Sequence, residues 1–413
     1  MAMVRRQIVE DVILTLPCTR ILFDDCSSAM QSNRIKLQGF WLLMNGPQIE
    51  SFDLAEWVTH YTGQIKHNLT NSSIKPPLLK DMGISIDYDE FQRNRNSYKG
   101  MFRRTLAETF NVPENNVLVT CSGSEALFLA MDSTLKPGDE VVMTTPNYPP
   151  LFQVPKLLGA NVKCVAGKFE EEFQPNIASL RSAISSKTKL VILTNPNNPS
   201  GSAVKRNLLE EILDAAGGLN VIVDEAFREF GFQAAPPIAA TLSGNCLSLG
   251  TMSKFYGAED LRIGWIIGHE KLIERAKRLK NWVTIENSIF SEMLACRIFE
   301  ERSMFTKRAR EFYEENVKLV ENWMRTRDEL SWVKPDCGLI CFPKFNLPIG
   351  SVELAERLAA ENGVAIGPGA FFNYEKHFRL CFTRTREELG NALTALGSGL
   401  DSIMKHAAQA RLS

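Results

Sequence analysis

Between about Val117 and Gly268 the chain alternates short apolar or β-branched runs with stretches whose apolar residues recur at helical spacing. The runs predict strands at Val117–Thr120, Glu140–Thr145, Asn161–Ala166, Lys189–Thr194, Asn220–Phe227, Cys246–Met252 and Arg262–Gly268. Helices are expected between them at Ser124–Leu135, Leu151–Leu158, Asn176–Ser185 and Lys205–Ala215. Strands joined through helices form βαβ crossovers and therefore a mainly parallel sheet with helices on both faces. Val191-Ile192-Leu193 and Val221-Ile222-Val223 are apolar throughout rather than alternating, as strands covered on both faces should be. Past Gly268 the pattern changes. Lys271–Met324 reads as long helices, followed by a strand run at Leu339–Phe345, a helix near Val352–Glu361, strands at Val364–Ile366 and Arg379–Phe382, and a last helix over Thr385–His406. The fold class expected is α/β: a large domain built on a mainly parallel seven-stranded sheet, plus a smaller α+β domain. The boundaries expected are an N-terminal extension at 1–48, a segment joining the small domain at 49–85, the large domain at 86–305 and the small domain at 306–413.

Composition narrows the class of partner. The 413 residues are 44% apolar and 23% charged, the balance of a globular protein with a full core. Lys and Arg number 47 against 48 Asp and Glu, so no basic surplus points to nucleic acid or an anionic membrane. Apolar runs such as Cys246–Met252 fall far short of the roughly 20 residues a membrane span needs. Nine cysteines without CxxC pairs read as reduced, mostly buried thiols, and the five histidines show no ligand spacing, so no metal is expected. Glu10 and Asp11 interrupt the start of the chain, which argues against a secretory signal; a cytoplasmic location is expected. Without such a route, the Asn68-Leu69-Thr70 and Asn71-Ser72-Ser73 triplets carry no glycosylation argument.

Four segments hold candidate chemistry, all at strand ends: Cys121–Ala126, Asn195–Gly201, Asp224–Phe227, and Ser248–Lys254 running on to Arg262–Trp265. In an open α/β sheet, ligands bind beyond the carboxyl ends of the strands. Lys254 sits among Gly, Thr, Met and Ser, where a desolvated amine gains the lowered pKa of a nucleophile or proton carrier. Asp224 ends an apolar strand and needs a partner there, for which a pyridinium nitrogen is suited. Ser122-Gly123-Ser124 opens a helix whose N-terminus favours an anion, and Arg262 adds a fixed charge with paired donors for a phosphate. Thr251 offers a hydroxyl, Asn198 an amide for a phenolic oxygen, and Tyr148 a flat face for a ring. Each has a plainer explanation alone: a solvated lysine, a turn acid, a helix cap, proline-rich turns. Their shared order at one sheet edge is what the plain explanations leave unaccounted for.

The set resembles the fold-type I pyridoxal-phosphate enzymes of the class I/II aminotransferase family, over roughly Ser51 to the C-terminus. The resemblance rests on Asn195-Pro-Asn-Asn-Pro-Ser-Gly201, Asp224-Glu-Ala-Phe227 and Ser/Thr-x-x-Lys254 with Arg262 eight residues later. It implies pyridoxal 5′-phosphate as cofactor, Lys254 as its covalent anchor, Asp224 as partner of the ring nitrogen and Asn198 as donor to the ring oxygen. It further implies Tyr148 stacked on the ring, and Gly123, Ser124, Thr251 and Arg262 around the phosphate. Arg379 in His377-Phe-Arg-Leu-Cys-Phe382 resembles the clamp on a substrate α-carboxylate. An α-amino acid and a 2-oxo acid would be the substrates, and a homodimer the assembly, with Tyr98 a candidate for the partner's phosphate. The pattern departs at Phe227, where the family has tyrosine, and at Asp260, where it has glycine. The segments Asp224–Arg228, Ser248–Lys254 and Leu261–Ile266 are similar to the capreomycidine-synthase and arginine-oxidase-like branch. That branch implies an alternative: elimination, cyclisation or oxidation of an arginine-like amino acid.

Overall fold

The computed structural model describes residues 51–234 and 237–410; the extension expected at 1–48 lies outside them. Helix α1 (Asp53–Tyr61) leads to a two-residue strand β1 (His67–Asn68), then helices α2 (Tyr88–Tyr98) and α3 (Met101–Phe110). The main sheet is laid down next, through β2 (Val117–Thr120), α4 (Ser122–Asp132), β3 (Glu140–Thr145), α5 (Pro149–Leu157) and β4 (Asn161–Ala166). It is completed by α6 (Ile177–Ala183), β5 (Thr188–Thr194), α7 (Arg206–Ala215), β6 (Asn220–Asp224), β7 (Cys246–Thr251) and β8 (Gly264–Gly268).

The seven strands lie in the order β2-β8-β7-β6-β5-β3-β4. All neighbouring pairs from β7 through to β4 are parallel, and β8 alone runs against both of its neighbours. Leu190 and Ile192 of β5 pack into one apolar cluster with Leu118 and Met143, whereas Val191 and Leu193 enter another with Val142 and Val221. The two clusters, one per face, explain why the strand is apolar without a break. Only the edge strand β4 is largely exposed.

Several expected boundaries shift, each for a local reason. β6 stops at Asp224 rather than Phe227 because the Asp224 carboxylate accepts the Ala226 N–H at 3.0 Å and turns the chain. β8 starts at Gly264 rather than Arg262 because Arg262 has φ 53°, a left-handed conformation no strand accepts. Helix α4 begins at Ser122, two residues before the expected start.

Beyond the sheet come α8 (Glu270–Val283), α9 (Ile289–Glu300), α10 (Arg302–Met324) and the short strands β9 (Leu330–Ser331), β10 (Ile340–Cys341) and β11 (Lys344–Phe345). The chain ends through α11 (Ser351–Asn362), β12 (Val364–Ala365), β13 (Gly367–Pro368), β14 (Phe378–Cys381) and α12 (Arg386–Ala410). The run Leu339–Phe345 is thus two strands, not one. β10 pairs with β14 and β11 with β9, and Pro343, which has no N–H to give a ladder, stands between them. β1 pairs in parallel with β12, so the segment before the main sheet is stitched to the C-terminal elements. Among the described residues no helix is long and apolar enough to cross a membrane.

Candidate active site

Parallel strands share a direction, so the carboxyl ends of β3, β5, β6 and β7 lie along one edge of the sheet. Asp224, the last residue of β6, stands opposite Thr194 of β5 and Leu249 of β7. Beyond that edge is a cavity of about 620 Å³. Gly123, Ser124, Tyr148, Asn198, Asp224, Thr251, Lys254, Arg262 and Arg379 all line it. Every residue singled out as a cofactor or substrate contact within one subunit is therefore brought to one place; Tyr98, the candidate for the partner's phosphate, is not among them.

Charge is distributed unevenly within it. Burial lowers the Lys254 ammonium pKa, and the Arg379 charge lowers it further against the opposing pull of Asp224 and Glu259. Burial pushes the Asp224 carboxyl up to about 6, partly offset by the Ala226 N–H and by Lys254. A cation placed against Asp224 would draw that value back down. Its hydrogen bond to Ala226 uses Oδ1, which leaves Oδ2 for a group in the cavity. The next residue, Glu225, does not line the cavity; its Oε1 accepts the Ala239 N–H at 3.0 Å. Tyr148 is pushed up to about 12 by burial and by Asp224, so it stays a neutral ring.

One end of the cavity is built for an anion. Helix α4 starts at Ser122 with Cys121 as N-cap, whose side chain caps none of the N–H groups of the first turn. Ser122, Gly123 and Ser124 line the cavity instead, with the helix dipole behind them. Gly264 of β8 presses on this turn: a Cβ there would lie 2.4 Å from the Ser122 carbonyl carbon, so only glycine fits. The Thr251 and Ser253 hydroxyls are 3.0 Å apart, and the guanidinium of Arg262 joins them at the lining.

At the other end, Arg379 is 4% exposed and held by long-range contacts. Its Nη1 donates to Asn198 Oδ1 at 3.0 Å and its Nη2 to the Thr70 carbonyl at 2.8 Å, while its Cζ lies 4.9 Å from the centre of the Phe372 ring. Its Nε is buried with no hydrogen-bond partner among the described residues. Because Asn198 spends its oxygen on Arg379, its amide N–H₂ is the group left for a ligand.

Other lining residues escaped the reading of the sequence. Ser253, two residues after Thr251 and directly before Lys254, lies inside the Ser/Thr-x-x-Lys254 segment that spacing had singled out. Glu259 lines the cavity with Oε2 accepting the Ser73 hydroxyl at 3.1 Å, across 186 positions in the chain. Phe52 lies edge-on to Tyr148 with ring centres 5.8 Å apart, and Leu54 and Val58 of α1 complete that wall. Asn68 and Asn71 accept the N–H groups of Thr70 and Ser73 at 2.9 and 2.8 Å, making turns that shape the wall. Phe227 lines the cavity, 2% exposed and stacked on Phe230. Tyr98 does not; it stacks on Phe91, centres 5.9 Å apart.

Comparison with known proteins agrees with the geometry. The model of the family "aminotransferase class I and II" matches residues 91–396. Capreomycidine synthase of Streptomyces vinaceus is 31% identical over 293 residues, covering 70% of this chain and 75% of that protein. Aspartate aminotransferase of Streptomyces avermitilis is 25% identical over 304 residues, 69% of this chain and 74% of that one. Among solved structures, a PLP-dependent aminotransferase from Streptococcus suis superposes with a TM-score of 0.79 at 23% identity, covering 86% of this chain and 99% of its own, and so shares the fold. The family's cofactor is pyridoxal 5′-phosphate. The donor set fits it: a helix N-terminus, hydroxyls and a guanidinium for a phosphate, a carboxylate for a ring nitrogen, a free amide and a desolvated amine. The chain belongs to the aminotransferase class I and II family and depends on pyridoxal 5′-phosphate.

Proposed function

We propose that the protein is a transaminase that moves an amino group between an α-amino acid and a 2-oxo acid. The observation that carries this reading is a desolvated Lys254 amine in one cavity with Asp224 and Arg379. Gly123, Ser124, Thr251 and Arg262 would hold the cofactor's phosphate, Asp224 its ring nitrogen, Asn198 its ring oxygen and Tyr148 its face. When bound, the cofactor supplies an electron sink for the pair left when a bond to the substrate Cα breaks. Arg379 binds the substrate carboxylate through guanidinium N–H groups not given to Asn198 and Thr70, and so orients the Cα–H bond. The Lys254 amine, its pKa lowered, takes the Cα proton and later returns one. Phe52, Leu54 and Val58 give that step an apolar wall.

A homodimer is part of the same reading. Trp282, Val283 and Ile285, at the end of α8 and just beyond, are 87%, 51% and 70% exposed, a surface suited to a second copy. Light scattering on the purified protein tests it, a monomer being the contrary result.

The direct test incubates the purified holoenzyme with ¹⁵N-labelled amino acids, with and without a 2-oxo acid. Label in the new amino acid, only when the 2-oxo acid is present, is expected. Product formed without an acceptor would favour a second reading, elimination, cyclisation or oxidation of an arginine-like substrate. One observation supports that alternative. The Glu259 carboxylate lines the cavity with a hydroxyl as its hydrogen-bond partner and no ion pair among the described residues, so it could receive a cationic side chain. Glu259→Gln then costs arginine-like substrates about tenfold in kcat/KM and neutral ones little.

A further inference from the structure

Behind the turn that opens α4, on the side away from the cavity, lies a buried polar chain that the reaction does not use. Glu125 reaches back from the first turn of the helix, and its Oε2 accepts the backbone N–H of Cys121, the N-cap residue. Its Oε1 accepts the Thr284 hydroxyl at 2.5 Å, and Thr284 Oγ1 in turn accepts from Lys280 Nζ at 2.5 Å. Lys280 Nζ also stands 3.5 Å from Glu125 Oε2, with both side chains 5% and 7% exposed. Lys280 belongs to α8 and Thr284 caps its C-terminus, so a carboxylate on one helix is tied to the end of another.

The turn held in this way is unusual. Ser122 has φ 85°, a left-handed conformation that a residue with a side chain enters only when its surroundings impose it. Three contacts impose it: Gly264 against its carbonyl carbon, the Thr120 hydroxyl donating to its carbonyl oxygen at 2.9 Å, and Glu125 on the preceding N–H. A buried ion pair adds little net stability compared with apolar residues of the same shape, so stability alone does not explain why this one is here. Its hydrogen bonds do fix direction: each Glu125 oxygen has a specified donor, and the Cys121 N–H has one acceptor.

We propose that Glu125, braced by Lys280 and Thr284, is a positioning residue that aims the Gly123 and Ser124 end of α4 at the cofactor's phosphate. This rests on the placement of the phosphate at that turn under the proposed function. The effect is specific to the phosphate, because the network touches nothing at the ring end of the cavity.

The test compares two ligands on the full-length chain freed of cofactor: pyridoxal 5′-phosphate and pyridoxal, which lacks the phosphate. Glu125→Gln keeps one acceptor oxygen where the Cys121 N–H and the Thr284 hydroxyl use two, and loses the charge that pairs with Lys280. It should weaken pyridoxal 5′-phosphate about tenfold and leave pyridoxal unchanged. Thr284→Val leaves the Lys280–Glu125 ion pair in place but removes the hydroxyl that joins them, and should show the same selective loss at about threefold; it decides the matter alone if Glu125→Gln fails to fold. The ³¹P resonance of the reconstituted holoenzyme should shift in the same variants. Equal losses for both ligands, or none for either, overturn the proposal and leave the network purely structural. Arg262→Gln serves as the control for the underlying reading. If it too leaves the preference for the phosphate form unchanged, the phosphate is not at this turn and the placement itself fails.

Discussion

The floor and the wall of the cavity were made by different routes. The floor is the edge of the main sheet, where Asp224, Lys254 and the Ser122–Ser124 turn each follow within a few residues of a strand end. The wall is assembled from afar: Arg379 of β14 meets Asn198 across 181 positions and Thr70 across 309, and Glu259 meets Ser73 across 186. Strand direction fixes where the floor residues go, so their spacing in the chain carries meaning. The wall depends on how β1, α1 and β14 dock, which no local pattern encodes. Chemistry should therefore reside in the floor and selectivity in the wall.

The largest expected effect breaks the floor. Lys254→Ala should lower turnover by at least about 10²–10⁴-fold, because it removes the group proposed to carry the substrate proton, while circular dichroism stays native. A variant with near-normal turnover would move the chemistry elsewhere. Asp224→Asn comes next, with a loss of about a hundredfold in turnover. It also separates function from stability. The folded Asp224 pKa of about 6 lies above its ordinary value, so between roughly pH 4 and 6 the folded apoprotein holds more proton than the unfolded chain. Asp224 therefore lowers stability progressively as pH rises through that window, and Asp224→Asn should raise the melting temperature of the apoprotein at pH 7. In the wild type, cofactor affinity should fall as pH drops below about 6 and Asp224 loses its charge. The asparagine variant should show no such step.

Arg379→Lys tests the wall. A lysine keeps the charge but loses the fork that reaches Asn198 and the Thr70 carbonyl, so KM for α-amino acids should rise about ten- to a hundredfold with a smaller change in kcat. A pure kcat loss would transfer Arg379 from substrate recognition to the chemistry. The smallest effect expected is at Phe227. A hydroxyl added there by Phe227→Tyr could donate to the cofactor's ring oxygen and should lower the pKa of the bound cofactor's absorbance by under about one unit. An unchanged or raised midpoint would mean that Phe227 faces another part of the cavity it lines.

The same contrast explains what could be read from the chain. The strands at Val117–Thr120, Glu140–Thr145 and Asn161–Ala166 match the structure residue for residue, because apolar runs bounded by turn residues are local signals. The errors lie where a single side chain or backbone angle overrides the pattern, as at Asp224, at Arg262 and at Pro343 between β10 and β11. Within the site, the floor residues were legible from spacing. Arg379 was reachable only through family resemblance, and Glu259 by neither route, since its partner Ser73 lies far off in the chain. The buried Glu125 reads from sequence as an ordinary first-turn acid; its tie to Lys280 and Thr284 appears only when α8 is packed.

The most direct test of the central claim, that chemistry converges on Lys254 at the sheet edge, is borohydride reduction of the native holoenzyme followed by peptide mapping by mass spectrometry. The cofactor-derived label is expected on the peptide that carries Lys254, and to be absent from Lys254→Ala treated in the same way. A label on any other lysine, or one that persists in the variant, would contradict it.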